Sequence, residues 1–348
     1  MLLQRVRDVC YPQYKCRHRR STWLRLSSNT TLSESSDVPR LKRHLGQHLL
    51  VSKNIIASII KAANFPFLLH PNSSDNAEKR DIRVLEIGSG TGNLTASLLD
   101  VDPKVQVHGV ECDANMIKSL EDRFQSQLGT SQLKLYANRI EELHLNEIFS
   151  PSHGLLDAVV ANIPYQLSSL IIARLVSYIH KYPGSVKCII LLLQEEFAQR
   201  MLATPHHQNY GRLAVNTSLV GHVDTVVNVG PEAFIPRPQV DSRVIKVTPH
   251  LPQFIHDPTF LREFDALLRI CFLRKNKTLR ALLTSKSMER KIVSESDWKK
   301  NVLLALKECE LIKSRAVQTS KDDFLRLFER MKQLGIRLLP TVSKQFDE

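Results

Sequence analysis

Residues 82–92 read IRVLEIGSGTG, and this stretch decides the fold of the chain. Its first six residues form an apolar run that predicts a buried strand, and a glycine-rich turn follows at once. Helical spacing resumes at Leu94, so the stretch predicts a strand, a tight turn and a helix. Because glycine has no side chain, such a turn lets backbone N–H groups approach a ligand closely. The stretch therefore predicts a nucleotide-type cofactor at the end of a strand in an α/β sheet.

The spacing of the glycines distinguishes between two cofactors. A dinucleotide fingerprint, Gly-x-Gly-x-x-Gly, would need a third glycine where this chain has Asn93. The third glycine instead comes one residue early, at Gly92, which gives the Glu-x-Gly-x-Gly-x-Gly form of S-adenosylmethionine-dependent methyltransferases. Glu111 ends the next predicted strand, where an acid can accept hydrogen bonds from ribose hydroxyls. A dinucleotide-dependent oxidoreductase remains the alternative, with Asn93 counting against it.

A second motif, Asn162-Ile163-Pro164-Tyr165, follows another apolar run, residues 155–161. This arrangement suits a site that holds the amino group of a nucleobase in line with a methyl donor. The Asn162 oxygen and a backbone carbonyl could accept the two amine hydrogens, while Tyr165 stacks on the base. The alternative is a strand followed by an ordinary proline turn.

Strands and helices alternate along the first 250 residues, which predicts a mostly parallel sheet covered by helices on both faces. Predicted strands cover 82–87, 105–110, 133–137, 155–161 and 186–193, with a closing antiparallel pair at 223–229 and 244–247. Predicted helices cover 49–63, 94–99, 114–128, 168–180 and 209–219, and later 260–283, 298–311 and 322–334. The last three come with no convincing strand. We therefore expect a basic arm over 1–38, an α/β domain over 39–250 and an all-helical C-terminal domain over 251–348.

Charge and cysteine content narrow the partners and the compartment. A net charge of +13 and a pI near 9.5 favour a polyanionic partner such as RNA, DNA or an anionic membrane, a generally basic surface being the alternative. The six cysteines show no metal or disulfide spacing, and Cys112 and Cys188 are expected to be buried free thiols in a reducing compartment. The absence of metal-ligand spacing among the cysteines leads us to expect no metal. No apolar segment is long enough to span a bilayer, so we expect no membrane partner.

The first 40 residues are rich in arginine and serine and poor in acids. This composition is typical of an organellar transit peptide. A disordered basic arm that binds RNA or directs nuclear import is the alternative.

Six segments that occur in family order make the chain resemble the ribosomal RNA adenine dimethyltransferases. They are GQHLL (46–50), EIGSGTGNLT (86–95), NIPYQLSS (162–169), QEEFAQR (194–200), FIPRPQVDS (234–242) and FLRKNKTL (272–279). The last segment and Leu334-Gly335-Ile336 look most like the eukaryotic small-subunit branch, which includes a mitochondrial form. The resemblance implies a Rossmann-like S-adenosylmethionine methyltransferase sheet with helices on both faces and a small helical C-terminal domain. It also implies N6,N6-dimethylation of two adjacent adenines near the 3′ end of small-subunit ribosomal RNA, in ribosome biogenesis.

The resemblance also implies roles for individual residues. The residues expected to contact S-adenosylmethionine are Gln47, His48, Leu50, Gly88, Gly90, Glu111 and Asn162. The residues expected to contact the target adenine are Asn162, Ile163, Pro164, Tyr165 and Phe197, and the rings of the last two are expected to stack on its opposite faces. Phe197 could instead be an ordinary core residue. Independently of the resemblance, Arg274, Lys275, Lys277 and Arg280 are expected, together with Arg269, on one basic helix face that could contact RNA phosphates. A solvated helix face is the alternative.

One position departs from the family pattern. Arg139 stands where the family usually has an aspartate that accepts a hydrogen bond from the cofactor adenine. Asn138 or Glu141 could accept that bond instead. The departure favours, as an alternative function, a catalytically weak ribosome-assembly or mitochondrial transcription factor. We expect a monomer that acts on a pre-ribosomal particle in the mitochondrion, with the nucleolus as the alternative compartment.

Removing residues 1–38 tests the targeting role of the basic arm. The truncated protein is expected to lose import into isolated mitochondria, because its arginine-rich segment would be gone. Protease protection of the radiolabelled chain measures import, with the full-length chain as the control. Import of the truncated protein at the full-length rate would contradict a targeting role for the arm.

Overall fold

The computed structural model describes residues 48–65, 81–163, 167–251, 259–294 and 297–339. All of these belong to one compact unit, residues 40–348. The predictions for the arm over 1–38, Gln47, Pro164 and Tyr165 therefore lie outside the described residues.

A central sheet organises the described residues. The strands are β1 (Leu49–Leu50), β2 (Ile82–Ile87), β3 (Val105–Val110), β4 (Leu133–Tyr136), β5 (Ala158–Asn162), β6 (Cys188–Gln194), β7 (Gly221–Val229), β8 (Phe234–Ile235), β9 (Ser242–Pro249), β10 (Ile292–Val293) and β11 (Arg337–Leu338). Seven of them form one sheet in the order β4-β3-β2-β5-β6-β9-β7. The first five of these strands are parallel, and β9 runs antiparallel to both β6 and β7. The predicted α/β sheet and its closing antiparallel pair are confirmed.

Helices connect the strands and continue beyond the sheet. They are α1 (Lys53–Ala63), α2 (Asn93–Leu99), α3 (Ala114–Arg123), α4 (Gln125–Gly129), α5 (Leu145–Ile148), α6 (Ser168–Lys181), α7 (Glu195–Leu202), α8 (Arg212–Ser218), α9 (Phe260–Phe272), α10 (Leu279–Leu283), α11 (Trp298–Glu308) and α12 (Lys321–Gln333). None of the described helices is long and apolar enough to cross a membrane.

The central strands are apolar on both faces because each face packs against helices. In β6, all residues from Cys188 to Leu193 are buried. The core consists of two clusters: the smaller includes Val84 and Val160, and the larger includes Leu85 and Val159. Neighbouring residues of one strand thus contribute to different clusters, as alternation along a strand requires.

The larger cluster continues from the sheet into the C-terminal helices. It includes Ile245 of β9, Phe264 of α9 and Phe328 of α12. The rings of Phe264 and Phe328 pack edge to face with their centroids 5.5 Å apart. The helices beyond residue 251 thus share a core with the sheet, and the domain division at residues 250–251 stays a prediction.

The first predicted helix and the helix over 114–128 differ from the observed elements. Leu49 and Leu50 form a strand that pairs with β8, and the helix begins only at Lys53. The predicted helix over 114–128 breaks at Phe124, which separates α3 from α4. Phe124 is buried against the glycine-rich turn, since a Cβ atom added to Gly92 would lie 2.5 Å from its ring. Burial of this ring therefore overrides helical continuity.

Two predictions in the C-terminal region are also wrong. The helix over 260–283 is interrupted, because α9 ends at Phe272 and Thr278 caps the start of α10 by accepting a hydrogen bond from the Ala281 N–H. A short antiparallel pair, β10 and β11, is present where no strand was predicted. Strands of two residues are too short to produce an alternating pattern in the sequence.

The expectation that Cys112 and Cys188 are buried thiols holds only for the second. Cys112 is a free, exposed cysteine, while Cys188 is free and buried. Burial raises the pKa of the Cys188 thiol to about 12. Cys112 follows β3 in the loop that begins with Glu111, so its side chain leaves the core together with the chain.

A buried histidine lies on β3. The Nδ1 atom of His108 lies 3.0 Å from the Tyr136 hydroxyl, and its ring contacts Phe149 with centroids 4.8 Å apart. Its Nε2 atom is buried without a hydrogen-bond partner among the described residues. Burial, with smaller contributions from Lys134 and Arg83, lowers the pKa of His108 to about 4. The folded protein therefore keeps this imidazole neutral.

This histidine is expected to destabilise the protein in mild acid. In the unfolded chain this histidine binds a proton with the ordinary pKa of about 6.5, whereas in the folded protein it stays neutral until the pH approaches 4. Between pH 7 and pH 5 the free energy of unfolding of wild type should fall by about 2 kcal/mol more than that of His108→Phe. Urea unfolding at the two pH values measures both proteins. Equal losses in both would contradict the assignment.

Candidate functional site

The carboxyl ends of β2 and β5 meet at the point where the strand order reverses. The chain runs from β2 outward to β3 and β4, then returns to β5 on the other side of β2. In open α/β sheets, ligands bind in the crevice outside such a point. Gly88 follows β2 here with φ of +76°, and a Cβ atom at this position would lie 3.1 Å from the Asn162 carbonyl oxygen. Glycine is therefore required where the two strand ends approach.

Glu111 closes one side of the glycine-rich turn. Its Oε2 accepts a hydrogen bond from the Gly90 N–H at 2.9 Å. Its Oε1 accepts from the N–H groups of Cys112 and Asp113, also at 2.9 Å. Three backbone donors thus fix the carboxylate at the end of β3. Since each carboxylate oxygen has two acceptor positions, Oε2 of Glu111 keeps capacity for one ribose hydroxyl.

Glu86 holds the turn from beneath. It is buried at the end of β2, and its Oε2 accepts hydrogen bonds from the Thr95 hydroxyl at 2.6 Å and the Ser89 hydroxyl at 3.1 Å. Its Oε1 is buried without a partner among the described residues. Burial raises the pKa of Glu86 to about 7. This carboxyl therefore links the glycine-rich turn to the first turn of α2.

Residues 48–51, here called the strap, lie against the same turn. Two side-chain amides hold the strap: Asn162 Nδ2 donates to the His48 carbonyl at 2.9 Å, and Asn93 Nδ2 donates to the Leu50 carbonyl at 3.1 Å. A Cβ atom added to Gly90 would lie 3.0 Å from the Leu49 side chain. The strap therefore covers the glycine-rich turn at van der Waals distance.

The strap is also tied to the segment after β7. Strand β1 pairs with β8, and the Val51 N–H donates to the Ala233 carbonyl at 2.9 Å. His48 Nδ1 lies 2.8 Å from the Pro236 carbonyl oxygen. Segments far apart in the chain thus meet over the ends of β2 and β5.

The contact to the strap orients the Asn162 side chain. Because its NH₂ group donates to His48, its Oδ1 atom remains as an acceptor at the carboxyl end of β5. The next residue, Ile163, is buried, and its N–H donates to the Leu192 carbonyl at 3.4 Å. This geometry suits the predicted acceptor role of Asn162.

The predicted second stacking ring, Phe197, lies near the start of α7, directly after β6. Its side chain is half-buried against the larger core cluster, and the Arg200 guanidinium lies 5.7 Å from its ring centroid. Since β5 and β6 are neighbouring parallel strands, Phe197 and Asn162 lie at the same edge of the sheet. Its stacking role stays a prediction.

The segment that lacks the family aspartate follows β4. Asn138 and Arg139 are both exposed, and Arg139 Nη2 lies 3.2 Å from Oε1 of Glu141, the other residue that could replace the aspartate. The Glu111 N–H donates to the Tyr136 carbonyl at 3.1 Å, which places this segment beside Glu111. Arg139 is thus an exposed ion-paired cation, and Asn138 stays the predicted acceptor.

The predicted basic helix face has a different geometry. Arg274, Lys275 and Lys277 lie in the turn between α9 and α10, and only Arg280 lies in the second helix. All four side chains are exposed, and Lys275 Nζ donates to the Gln208 carbonyl at 3.1 Å. The prediction of a single helix face is therefore wrong, while the predicted phosphate contacts stay predictions.

Sequence reasoning missed three contributors to the site. In the sequence, Asn93 counts only as evidence against a dinucleotide, Glu86 is only a motif position, and Pro236 is only one residue of a segment that matches the family. The motif position of Glu86 was a usable signal. Nothing local indicated that Asn93 and Pro236 contact the strap, because those contacts join residues 43 and 188 positions apart.

S-adenosylmethionine fits these groups. Gly88, Gly90 and Gly92 all have positive φ, so the turn exposes backbone without side chains. The turn is followed directly by a helix, and Glu111 lies at the end of β3, where an acid can accept a hydrogen bond from a bound ribose. The glycine spacing suits a nucleoside cofactor that has no pyrophosphate. These features define a Rossmann-like methyltransferase.

Comparison with known proteins places the chain further. A model of the family described as ribosomal RNA adenine dimethylase matches residues 38–333. The chain therefore belongs to the ribosomal RNA adenine dimethylase family, and S-adenosylmethionine is its cofactor. It is a methyltransferase of the family that modifies adenine in ribosomal RNA.

Individual relatives agree with this family. The chain is 35% identical over 243 residues to a ribosomal RNA small subunit methyltransferase of Arabidopsis thaliana, covering 70% of this chain and 60% of that protein. It is 34% identical over 284 residues to a mitochondrial ribosomal RNA small subunit methyltransferase of the same plant, covering 81% of this chain and 67% of that protein. A crystal structure of a dimethyladenosine transferase from Plasmodium falciparum is 31% identical, with a TM-score of 0.67, covering 84% of this chain and 100% of that chain.

Asn93 is expected to act as a positioning residue for the cofactor. Asn93→Ala removes one of the two amides that hold the strap, so KM for S-adenosylmethionine should rise roughly 2- to 10-fold, the equivalent of one hydrogen bond. The value of kcat at saturating cofactor should change less than twofold, because saturating cofactor fills the site of the variant as well.

Initial-rate kinetics with ribosomal RNA measure this split between KM and kcat. Asn115→Ala, at an exposed position of α3, serves as the matched control. A variant with reduced thermal stability but an unchanged KM would show that Asn93 has only a structural role.

Proposed function

We propose that this chain dimethylates two adjacent adenines near the 3′ end of small-subunit ribosomal RNA. It acts as a monomer on a pre-ribosomal particle, in ribosome biogenesis. One observation carries the proposal: Asn162 is anchored through its NH₂ group to the strap, so its oxygen is presented as an acceptor beside the glycine-rich turn. An acceptor fixed at this point is what an exocyclic amine needs when it must be aligned with a methyl donor.

The chemistry follows from positioning. The adenine amine is a weak nucleophile, because its lone pair is delocalised into the ring. When its two hydrogens are accepted by Asn162 Oδ1 and a backbone carbonyl, the lone pair is directed towards the donor. S-adenosylmethionine supplies an electrophilic methyl group on sulfur when bound. The chain holds the two reactants in line and stabilises the positive charge that develops on nitrogen.

The proton leaves without a dedicated base. Methylation makes the nitrogen cationic and therefore acidic enough to lose its proton to water. The same site then accepts the monomethylated amine for a second transfer. Tyr165 and Phe197 would stack on the flipped base, with each stacking contact contributing about 1–3 kcal/mol.

The cofactor would be held by the glycine-rich turn, one anchored carboxylate, the strap and one side-chain amide. Gly88 and Gly90 would lie against its carboxyl and sugar, and Glu111 would accept from a ribose hydroxyl. His48 and Leu50 of the strap would cover it. Asn138 would accept from the adenine amine in place of the usual aspartate.

The RNA substrate and the compartment are supported by charge and by relatives. Arg274, Lys275, Lys277 and Arg280 form an exposed basic turn that suits phosphate contacts. A relative carries the description mitochondrial ribosomal RNA small subunit methyltransferase. Together with the arginine-rich arm this supports the mitochondrion, with the nucleolus as the alternative.

A second function is favoured by one residue. Arg139 places an exposed, ion-paired cation where the family usually has the acid that accepts from the cofactor adenine. Weak cofactor binding would suit a ribosome-assembly or mitochondrial transcription factor that no longer needs catalysis. The anchored Asn162 favours catalysis.

Labelled methyl transfer from S-adenosylmethionine to immature small-subunit particles distinguishes the two functions. Wild type is expected to label the two adenines, and Asn162→Ala should lose about 10²- to 10³-fold in rate, as when a transition-state hydrogen bond is removed. Asn228→Ala, at an exposed position of β7, is the matched control. If wild type binds the particle and leaves the adenines unmodified, the factor function replaces the enzymatic one.

A further inference from the structure

A small pocket lies between four helices, outside the groups that hold the cofactor. Its volume is about 110 Å³. Its polar lining comes from Ser169 of α6, Arg200 of α7, Asn209, Arg212 and Asn216 of α8 and the preceding loop, and Asp265 of α9. The apolar part of the wall comes mainly from α6. The pocket therefore joins the helices beside the sheet to the first helix of the C-terminal region.

Positive charge exceeds negative charge around this pocket. Asp265 is almost fully buried and is bonded to three groups: Arg269 Nε at 2.6 Å, Asn216 Nδ2 at 2.9 Å and Arg212 Nη1 at 3.4 Å. Arg200 contributes a further guanidinium and is paired with no carboxylate among the described residues. The pocket wall itself thus carries two guanidinium groups, Arg200 and Arg212, and one carboxylate, Asp265, which is a surplus of one positive charge.

Arg212 is partly withdrawn from water in this wall. Its pKa is lowered, first by burial and then by the charges of Arg269 and Arg200, against the opposing effect of Asp265. A cation in such surroundings gains from an additional anion. The amides of Asn209 and Asn216 and the Ser169 hydroxyl add neutral hydrogen-bonding groups to the same wall.

The size of the pocket limits what the anion can be. Pockets for drug-sized ligands or cofactors have volumes of roughly 300–1,000 Å³. This pocket is well below that range, so a compact anion such as a phosphate group suits it better than a nucleoside.

The position of the pocket relates it to the target base. Arg200 lies one helical turn after Phe197 in α7, with its guanidinium over that ring. Ser169, in the first turn of α6, follows Asn162 by only seven positions. Both elements that lead from the base-binding end of the sheet therefore contribute to the pocket wall.

We propose that this pocket binds one phosphodiester group of the RNA substrate, close to the nucleotide that is methylated. The proposal rests on the proposed function, because it takes the substrate to be RNA. Arg200 and Arg212 supply the charge, and planar guanidinium groups suit the oxygens of a phosphate. A phosphate held here fixes the backbone beside the target, so that the base can enter the site in one orientation.

Single-linkage chemistry on the RNA tests this assignment. The substrate is a hairpin from the 3′ end of small-subunit ribosomal RNA, made as a set in which one phosphate near the target adenines is replaced by a neutral methylphosphonate. Binding to the full-length chain is measured for wild type, Arg200→Gln and Lys118→Gln across a series of salt concentrations. Lys118 is an exposed lysine of α3, which follows β3 on the other half of the sheet, and its variant controls for loss of one charge.

Three results are expected if the pocket holds a substrate phosphate. Arg200→Gln should weaken binding roughly tenfold, as loss of a charged hydrogen bond would. It should also reduce the slope of log affinity against log salt by about 1. One methylphosphonate should weaken binding to wild type and to Lys118→Gln, with little further effect on Arg200→Gln.

Other results would overturn the assignment. Additive effects of Arg200→Gln and the methylphosphonates at every linkage would show that no single phosphate occupies the pocket. Competition of inorganic phosphate with wild type but not with Arg200→Gln, without coupling at any linkage, would assign the pocket to a free anion. Methyl transfer is measured on the same hairpins. If one methylphosphonate and Arg200→Gln have non-additive effects on binding but wild type does not methylate the hairpin, the phosphate assignment is supported and the proposed function is contradicted.

Discussion

The hydrogen bond from Asn162 Nδ2 to the His48 carbonyl is the contact on which the site depends. It joins the end of β5 to the strap, and it decides which atom of the Asn162 amide remains to meet a substrate. The same strap presses Leu49 against the glycine-rich turn and pairs with β8. One amide therefore links the strap that is proposed to cover the cofactor to the oxygen that is proposed to accept from the substrate.

Two carboxyl groups make the glycine-rich turn rigid in different ways. Glu111 is held by three backbone N–H groups, which are the donors a carboxylate prefers at a turn. Glu86 is buried with an oxygen that lacks a partner among the described residues, and burial raises its pKa to about 7. Unsatisfied buried polar groups cost stability and are found mainly where function requires them. The position of Glu86 beneath the turn fits that pattern.

The elements that were predicted correctly are those whose pattern is set locally. Strands β2, β3 and β6 are buried on both faces, so their sequences are apolar throughout and recognisable without their neighbours. The errors occur where tertiary contacts override local preference. Phe124 breaks a helix to bury its ring at Gly92, and β1 forms only because β8 supplies its partner.

By itself, the sequence determined the α/β class, the glycine-rich turn at residues 88–92 and the family to which the chain belongs. These features depend on the period of apolar residues and on short motifs, which are local. Only the tertiary structure decided that Asn93 and Asn162 hold the strap, and that Arg200, Arg212 and Asp265 share one pocket. Contacts such as those from Asn162 to His48 and from Asn216 to Asp265 join residues 114 and 49 positions apart. No periodicity encodes such pairs, because each depends on how the sheet and its helices pack.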